Sequence, residues 1–313
     1  MLYYGAVSLS TALVLIAKDG NSSIDRLREG KKHRHHGLIL SGPGRSLQAS
    51  PPRYLDALES VGCRVYFKDV DDTQLPWGQY SLLHSSLVEP AVSLEVTKTK
   101  EGVPAGLKSS ECLGSLPLPP VESFKDRTFS LPSLLQGLPE LYQSLSDSGT
   151  RPSIAPGRVE TRVHFKSDGL ENTESQDFFI NAIVPNEQRR LIHYLKERNS
   201  SIEVITQTSN NLFLRGKWDN SNTQVYLPDL VQAHSGDLYF ILNPSEYIHE
   251  PLAHFMILFM LGMLARYYPD LWIGFIDSDP WNAELLDTIL SEVSLKFPLL
   301  MLDQILQVKH LQH

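Results

Sequence analysis

The spacing of apolar positions divides the chain into tracts of different period. From Leu2 to Lys18, Tyr3, Ala6, Val7, Leu9, Leu13, Val14 and Ala17 recur at helical spacing, which predicts a helix with one face packed inside a domain. Between Arg158 and Leu242 the period drops to two. Val159, Thr161, Val163 and Phe165 alternate with polar residues, and further β-rich runs occur at 178–184, 202–208, 211–215, 223–227 and 237–242. These predict an antiparallel sheet, interrupted at 186–198 by an amphipathic helix with Leu191, Ile192 and Leu195 on one side. The most apolar tract, 247–272, has eleven consecutive apolar residues from Phe255 to Ala265 and a proline at each end, Pro251 and Pro269. Pro251 suits a first helical turn, where its missing N–H costs nothing, and Pro269 stops the helix. One helix about 27 Å long follows, with an apolar middle shorter than the roughly 18 to 20 residues of a membrane span. It reads as the buried centre of a domain. Asp279-Pro280 then supplies an N-cap and first-turn residue, Leu285, Leu286, Ile289, Leu290 and Val293 form a core face, and a further apolar helix is predicted after Pro298.

The remaining sequence is mixed. Residues 52–61 carry a helical pattern, and 64–68 read as a strand closed by Asp69, Asp71 and Asp72. Residues 101–127 hold Pro104, Pro117, Pro119 and Pro120 and predict a linker, followed by a helix capped by Ser130 and a turn into a second. The predicted class is α+β: a helical core made by the N- and C-terminal helices, with an inserted antiparallel sheet. The expected divisions are 1–150, helical and proline-rich; 151–243, β-rich; and 244–313, helical core.

Charge and cysteine usage narrow the class of function. A net charge of -8 and a pI near 5.8 argue against a protein that coats nucleic acid or an anionic membrane with its whole surface. Cys63 and Cys112 match no disulfide framework or zinc spacing, which suits a reducing cytoplasm. The apolar run 11–17 is preceded by no Lys or Arg and followed by no cleavage pattern, so it is expected to be a core helix rather than a signal or anchor.

One local anomaly stands against the acidic background. Arg26, Arg28, Lys31, Lys32, Arg34, Arg45 and Arg53 face only Asp25 and Glu29 over 25–53, with His33, His35 and His36 among them. Such a cluster is the composition that holds phosphate oxygens, and a solvated loop has the same composition. Arg26, Arg28, Lys31, Lys32 and Arg34 are the nucleic-acid-binding candidates. Arg28 and His33 also fit the Arg-x(4–6)-His spacing of helical HEPN ribonucleases, in which the pair acts on the ribose 2′-OH and its phosphate. The basic helix 186–198 carries Arg189, Arg190, His193, Lys196 and Arg198 and reads as a solvated face. In the central helix, His249, Glu250 and His254 have the wrong spacing for H-E-x-x-H. An i,i+5 pair opens to roughly 140°, so no metal site is assigned. Glu250 and His254 are i,i+4, a catalytic candidate or a hydrogen-bonded pair at a core rim. Arg266, Tyr267 and Trp272 are assigned structural roles at the far end, with Arg266 bonding the last carbonyls and Asp270.

The order YYGAVSLSTALVL, HHGL, LPSLLQGLPELY, a run of strands, NPSEYIHEPLAHFMILFMLGMLARYYPDLW and FPLLMLDQI resembles the YaaC-like family of bacterial proteins. ARYYPDLW followed by a helix and FPLL is its most specific part. The resemblance implies no settled activity and no catalytic residues, and the family pattern has further helical sequence ahead of the YYG element. The reading is a non-catalytic binding or regulatory protein without a cofactor, contacting a protein partner, a second copy or nucleic acid and not a membrane, in a phage-defence or stress setting. The alternative is a HEPN-like metal-independent ribonuclease.

Overall fold

The computed structural model describes residues 2–17, 23–41, 61–88, 91–100, 103–114, 118–165, 171–198, 202–217, 229–233, 235–278 and 280–306. The helical pattern at 52–60, the strand at 223–227, the cap at Asp279, and Arg45 and Arg53 lie outside them. In chain order the elements are α1 (Leu2–Ala17), α2 (Ile24–Gly30), β1 (Leu38–Ser41), β2 (Gly62–Val65), β3 (Phe67–Val70), β4 (Thr73–Pro76), α3 (Gln79–Ser86), β5 (Ala91–Lys100) and β6 (Val103–Gly114). There follow β7 (Phe129–Ser130), α4 (Leu131–Leu135), α5 (Tyr142–Asp147), β8 (Ile154–Phe165), β9 (Glu171–Ile180), α6 (Pro185–Arg198), β10 (Glu203–Gln207), β11 (Leu212–Lys217), β12 (Leu230–Gln232) and β13 (Leu238–Ile241). The C-terminal helices are α7 (Glu250–Tyr267), α8 (Pro269–Ser278) and α9 (Pro280–Leu306). The fold is α+β, and the chain divides into two compact units.

The first unit, residues 1–88, 118–151 and 248–307, is built around α7. Its buried residues run unbroken from Glu250 to Leu261 and resume at Leu264, because every side of the helix meets another element. Helices α1, α3, α4 and α9 and strands β1 and β2 pack on it. Tyr3 of α1 meets Phe255 and Phe259 edge-on, with ring centroids 5.7 and 5.9 Å away. Strands β1, β2 and β7 form a small antiparallel sheet, and β3 and β4 a separate hairpin turned at Asp71-Asp72.

Three expectations are corrected here. Helix α7 ends at Tyr267, just before Pro269 as expected, but the chain does not leave helical conformation there: Pro269 opens α8 at an angle of 106°. A proline can stand in a first turn as readily as after a last one. Pro298 starts no new helix but lies inside the continuous α9, whose tertiary packing on α1 and α7 tolerates the lost hydrogen bond. Residues 24–34, expected as a loop, hold α2, capped by the Ser23 side chain on the Arg26 N–H, and a 3-10 turn over 32–34. No single helix among the described residues is long and apolar enough to cross a membrane.

The second unit takes residues 89–117, 152–247 and 308–313. Among the described residues its sheet has eight strands, ordered β10-β11-β9-β8-β13-β12, with β5 beside β8 and β6 beside β5. All pairings are antiparallel except β5 with β8. Residues 103–114, expected as linker, are therefore strand, because a single Pro104 near the start of β6 leaves the rest of the ladder intact. Leu191 and Leu195 of helix α6 share one buried hydrophobic cluster with Phe178, Ile180, Leu212 and Leu214 of the sheet. On the other register, Arg215 donates to both oxygens of the buried Asp177, at 2.6 and 2.9 Å.

Candidate functional site

The basic segment of the first unit gains its shape from α2. That helix ends where Lys31 adopts the left-handed conformation, φ 55, and its N–H returns to the Arg28 carbonyl. The turn reverses the chain before Lys32. Arg26, Arg28, Lys31 and Arg34 are exposed and Lys32 is half-buried. Arg28 makes a long contact of 3.8 Å with the exposed Asp25.

Glycines then bring this turn onto the start of α3. Gly78, at φ 104, and Gly37, at φ 79, lie back to back; a side-chain carbon on Gly78 would sit 2.4 Å from the Gly37 Cα and N. This approach lets the first N–H groups of α3 find acceptors: Gln79 N–H donates to His35 O at 2.8 Å and Tyr80 N–H to His36 O at 3.0 Å. It also sets the basic turn beside the β3–β4 hairpin. The Lys32 ammonium stands 5.3 Å, and that of Lys68 4.3 Å, from the centroid of the Trp77 ring. The His35 ring stacks on Tyr66 at 4.3 Å and 24°. Lys68 and Asp69 point to opposite sides of the hairpin, and Asp71 and Asp72 occupy its tip, so the hairpin acids lie away from Trp77.

The histidines serve this local architecture. His33 Nδ1 donates to Leu27 O at 2.6 Å, and its own carbonyl accepts from Gln79. His36 Nδ1 and the Tyr3 hydroxyl share a 2.7 Å hydrogen bond. Burial lowers the His36 pKa, His35 and Arg266 lower it further, and Gln79 opposes them; burial, and then Tyr4, raise that of Tyr3. The imidazole is therefore neutral at pH 7. Arg266 reaches Tyr4 Oη at 3.3 Å and stands 5.3 Å over the exposed Tyr267 ring, while Trp272 packs on the core.

The other catalytic candidates sit in the interior. His254 is 1% exposed, with its ring stacked against Phe297 at 6.4 Å, and Glu250 accepts a hydrogen bond from the Lys296 ammonium. Lys296 also donates to Glu140. His193 belongs to the second unit, where it is exposed and pairs with Glu197 at 3.2 Å. Among the described residues no group of three or more His, Cys, Asp or Glu is placed to hold a metal ion.

The five basic candidates are local in sequence, whereas Lys68, Tyr66, Trp77, Lys296 and Glu140 were not among the candidates. Trp77 and Lys68 gave no signal, because their meeting with Lys32 depends on the approach of residues 35–37 to the start of α3, some forty residues away in sequence. Lys296 did give one: it lies three residues after Val293 and four before Leu300, on the buried face of α9.

The matches to known proteins agree with the resemblance in sequence. No curated protein and no solved structure matches the chain. A family profile described as YaaC-like Protein matches residues 95–305, about two thirds of the 313 residues. The chain belongs to the YaaC-like family.

Proposed function

We propose that this protein is a non-catalytic binding protein whose first unit contacts nucleic acid through Arg26, Arg28, Lys31, Lys32 and Arg34. The observation that carries the reading is the turn at Lys31, which leaves four of these cations exposed and joined by Lys68 beside Trp77. Two carboxylates, Asp25 and Glu29, share the segment with five cations, so the local field is positive although the chain is acidic. The ribonuclease alternative draws less support, because the His33 ring is turned to the Leu27 carbonyl and Arg28 to Asp25.

Charge reversal tests the reading. The Lys31→Glu/Lys32→Glu/Arg34→Glu variant is expected to bind a labelled oligonucleotide at least about 100-fold more weakly at low salt. Each lost phosphate contact also removes roughly one unit from the slope of log affinity against log salt. Unchanged affinity and slope in fluorescence anisotropy would reject the interface. The ribonuclease alternative predicts RNA cleavage in EDTA that disappears in His33→Ala or His254→Ala.

A further inference from the structure

The cations of the interface do not stand alone; they surround aromatic rings. Trp77 is half-buried, with its ring reached by two ammonium groups from different elements. Tyr66 and His35, both half-buried and stacked, lie one hydrogen bond away along the backbone, since Trp77 N–H donates to Tyr66 O at 3.0 Å. A purely structural ring in a hairpin needs no cation at all, and one would suffice for a cation–π contact. Two lysines at one partly exposed indole instead reproduce the pairing of a flat stacking surface with phosphate-binding charges.

Duplex binding does not require this arrangement. In a duplex the bases already stack on one another, and phosphates alone are presented to a flat basic surface. A single strand has free base faces, each able to lie on an aromatic ring whatever its sequence. Resting on the interface assigned under Proposed function, we infer that its ligand is single-stranded nucleic acid. One base stacks on Trp77, and the flanking phosphates take the ammonium groups of Lys32 and Lys68. A cation over a part-exposed ring is a weak contact, so a nucleotide replaces it on both counts, base on indole and phosphate on ammonium. The adjacent Tyr66–His35 stack is positioned to receive a neighbouring base. Arg34 and Lys31 are positioned along the same turn to hold the backbone as it leaves.

The probes are a fluorescein-labelled 15-mer of dT, a 15-mer of rU, and a mixed-sequence duplex of the same length, each titrated with the full chain near 50 mM salt. Both single strands are expected to bind at least about 10-fold more tightly than the duplex. Trp77→Leu is expected to weaken single-strand binding by about 5- to 150-fold, as the loss of one base stack does, and to leave duplex binding within about 2-fold. Trp77→Tyr keeps a ring and should restore most of the single-strand affinity, which a loss caused by misfolding would not show. Equal binding of duplex and single strands, or an equal loss of both in Trp77→Leu, overturns the single-strand inference while leaving the basic interface in place. If all three probes bind weakly, and Lys31→Glu/Lys32→Glu/Arg34→Glu does not change that, the interface itself fails, and with it this inference.

Discussion

Lys296→Met is expected to destabilise the first unit by about 3–5 kcal/mol, the cost of leaving buried carboxylates without their cation. Lys296 is 1% exposed and donates to both Glu140 and Glu250, which come from different segments of the unit's sequence. Its neighbours on α9, Val293, Phe297 and Leu300, are core residues, so water cannot replace the lost partner. Methionine fills nearly the same volume, which separates the charge effect from a cavity. Urea unfolding followed by fluorescence would show a lower midpoint. A variant that also carries Glu140→Gln and Glu250→Gln should recover much of the loss, because the unpaired charges are then gone. If Lys296→Met alone unfolds at the wild-type midpoint, the buried ion cluster has no part in stability. The pH dependence has a definite sign. Burial by itself would lower the Lys296 pKa, but the charges of Glu250 and Glu140 and the hydrogen bonds to them outweigh it and raise the value. The stability linked to this group is therefore fully present below the unfolded lysine pKa of ~10.4 and is lost as pH rises through the higher folded value. Alkaline unfolding of the wild type should steepen there, and that step should be missing from Lys296→Met.

Gly78→Ala is the second change with a large expected effect. At φ 104 the residue lies in backbone space that L side chains avoid, which costs on the order of 1–3 kcal/mol by itself. A steric term adds to it, because the new carbon would fall 2.4 Å from the Gly37 Cα and N and 2.8 Å from the His35 carbonyl oxygen. All three are backbone atoms, which cannot rotate aside. Relief requires separating the His35–Gly37 segment from α3, and with it the hydrogen bonds from Gln79 and Tyr80. Gly149 supplies the control. It has φ 76 but nothing within 4 Å of a built side-chain carbon, so Gly149→Ala should cost only the conformational part, ~1–2 kcal/mol. Denaturation midpoints falling in the order wild type, Gly149→Ala, Gly78→Ala are expected. A Gly78→Ala variant as stable as Gly149→Ala would mean that the close approach of the two segments is not rigid. Since this approach also sets Lys32 beside Trp77, Gly78→Ala should weaken oligonucleotide binding even at temperatures where the chain is folded.

The two changes act on different requirements of one unit. Lys296 joins α9 to α7 through the interior. Gly78 joins the basic turn to α3 at the surface. Neither residue belongs to the proposed interface, yet the second fixes its geometry.

What the sequence by itself determined follows from short-range periodicity. The 3.6-residue pattern of α1, α6, α7 and α9 and the two-residue pattern of β8, β11 and β13 are properties of neighbouring residues, so the α+β class and the burial of α7 could be read without coordinates. The five basic candidates were visible for the same reason, being consecutive or nearly so. Prolines misled where packing overrides local preference, as with Pro298 inside α9 and Pro104 in β6; Pro269 misled because the same residue suits the first turn of α8 as well as the stop after α7. Tertiary structure alone decided which groups meet. Glu140, Glu250 and Lys296 are separated by more than a hundred residues at their widest, and Trp77 by some forty from Lys32; no local pattern encodes either encounter. It also decided which charged groups are exposed. Lys31 and Lys296 are the same residue type, but one caps a surface helix in a left-handed turn, and the other lies on the core-facing side of α9 between two carboxylates. The packing around each side chain, rather than its chemistry, assigned the first to a candidate interface and the second to the core.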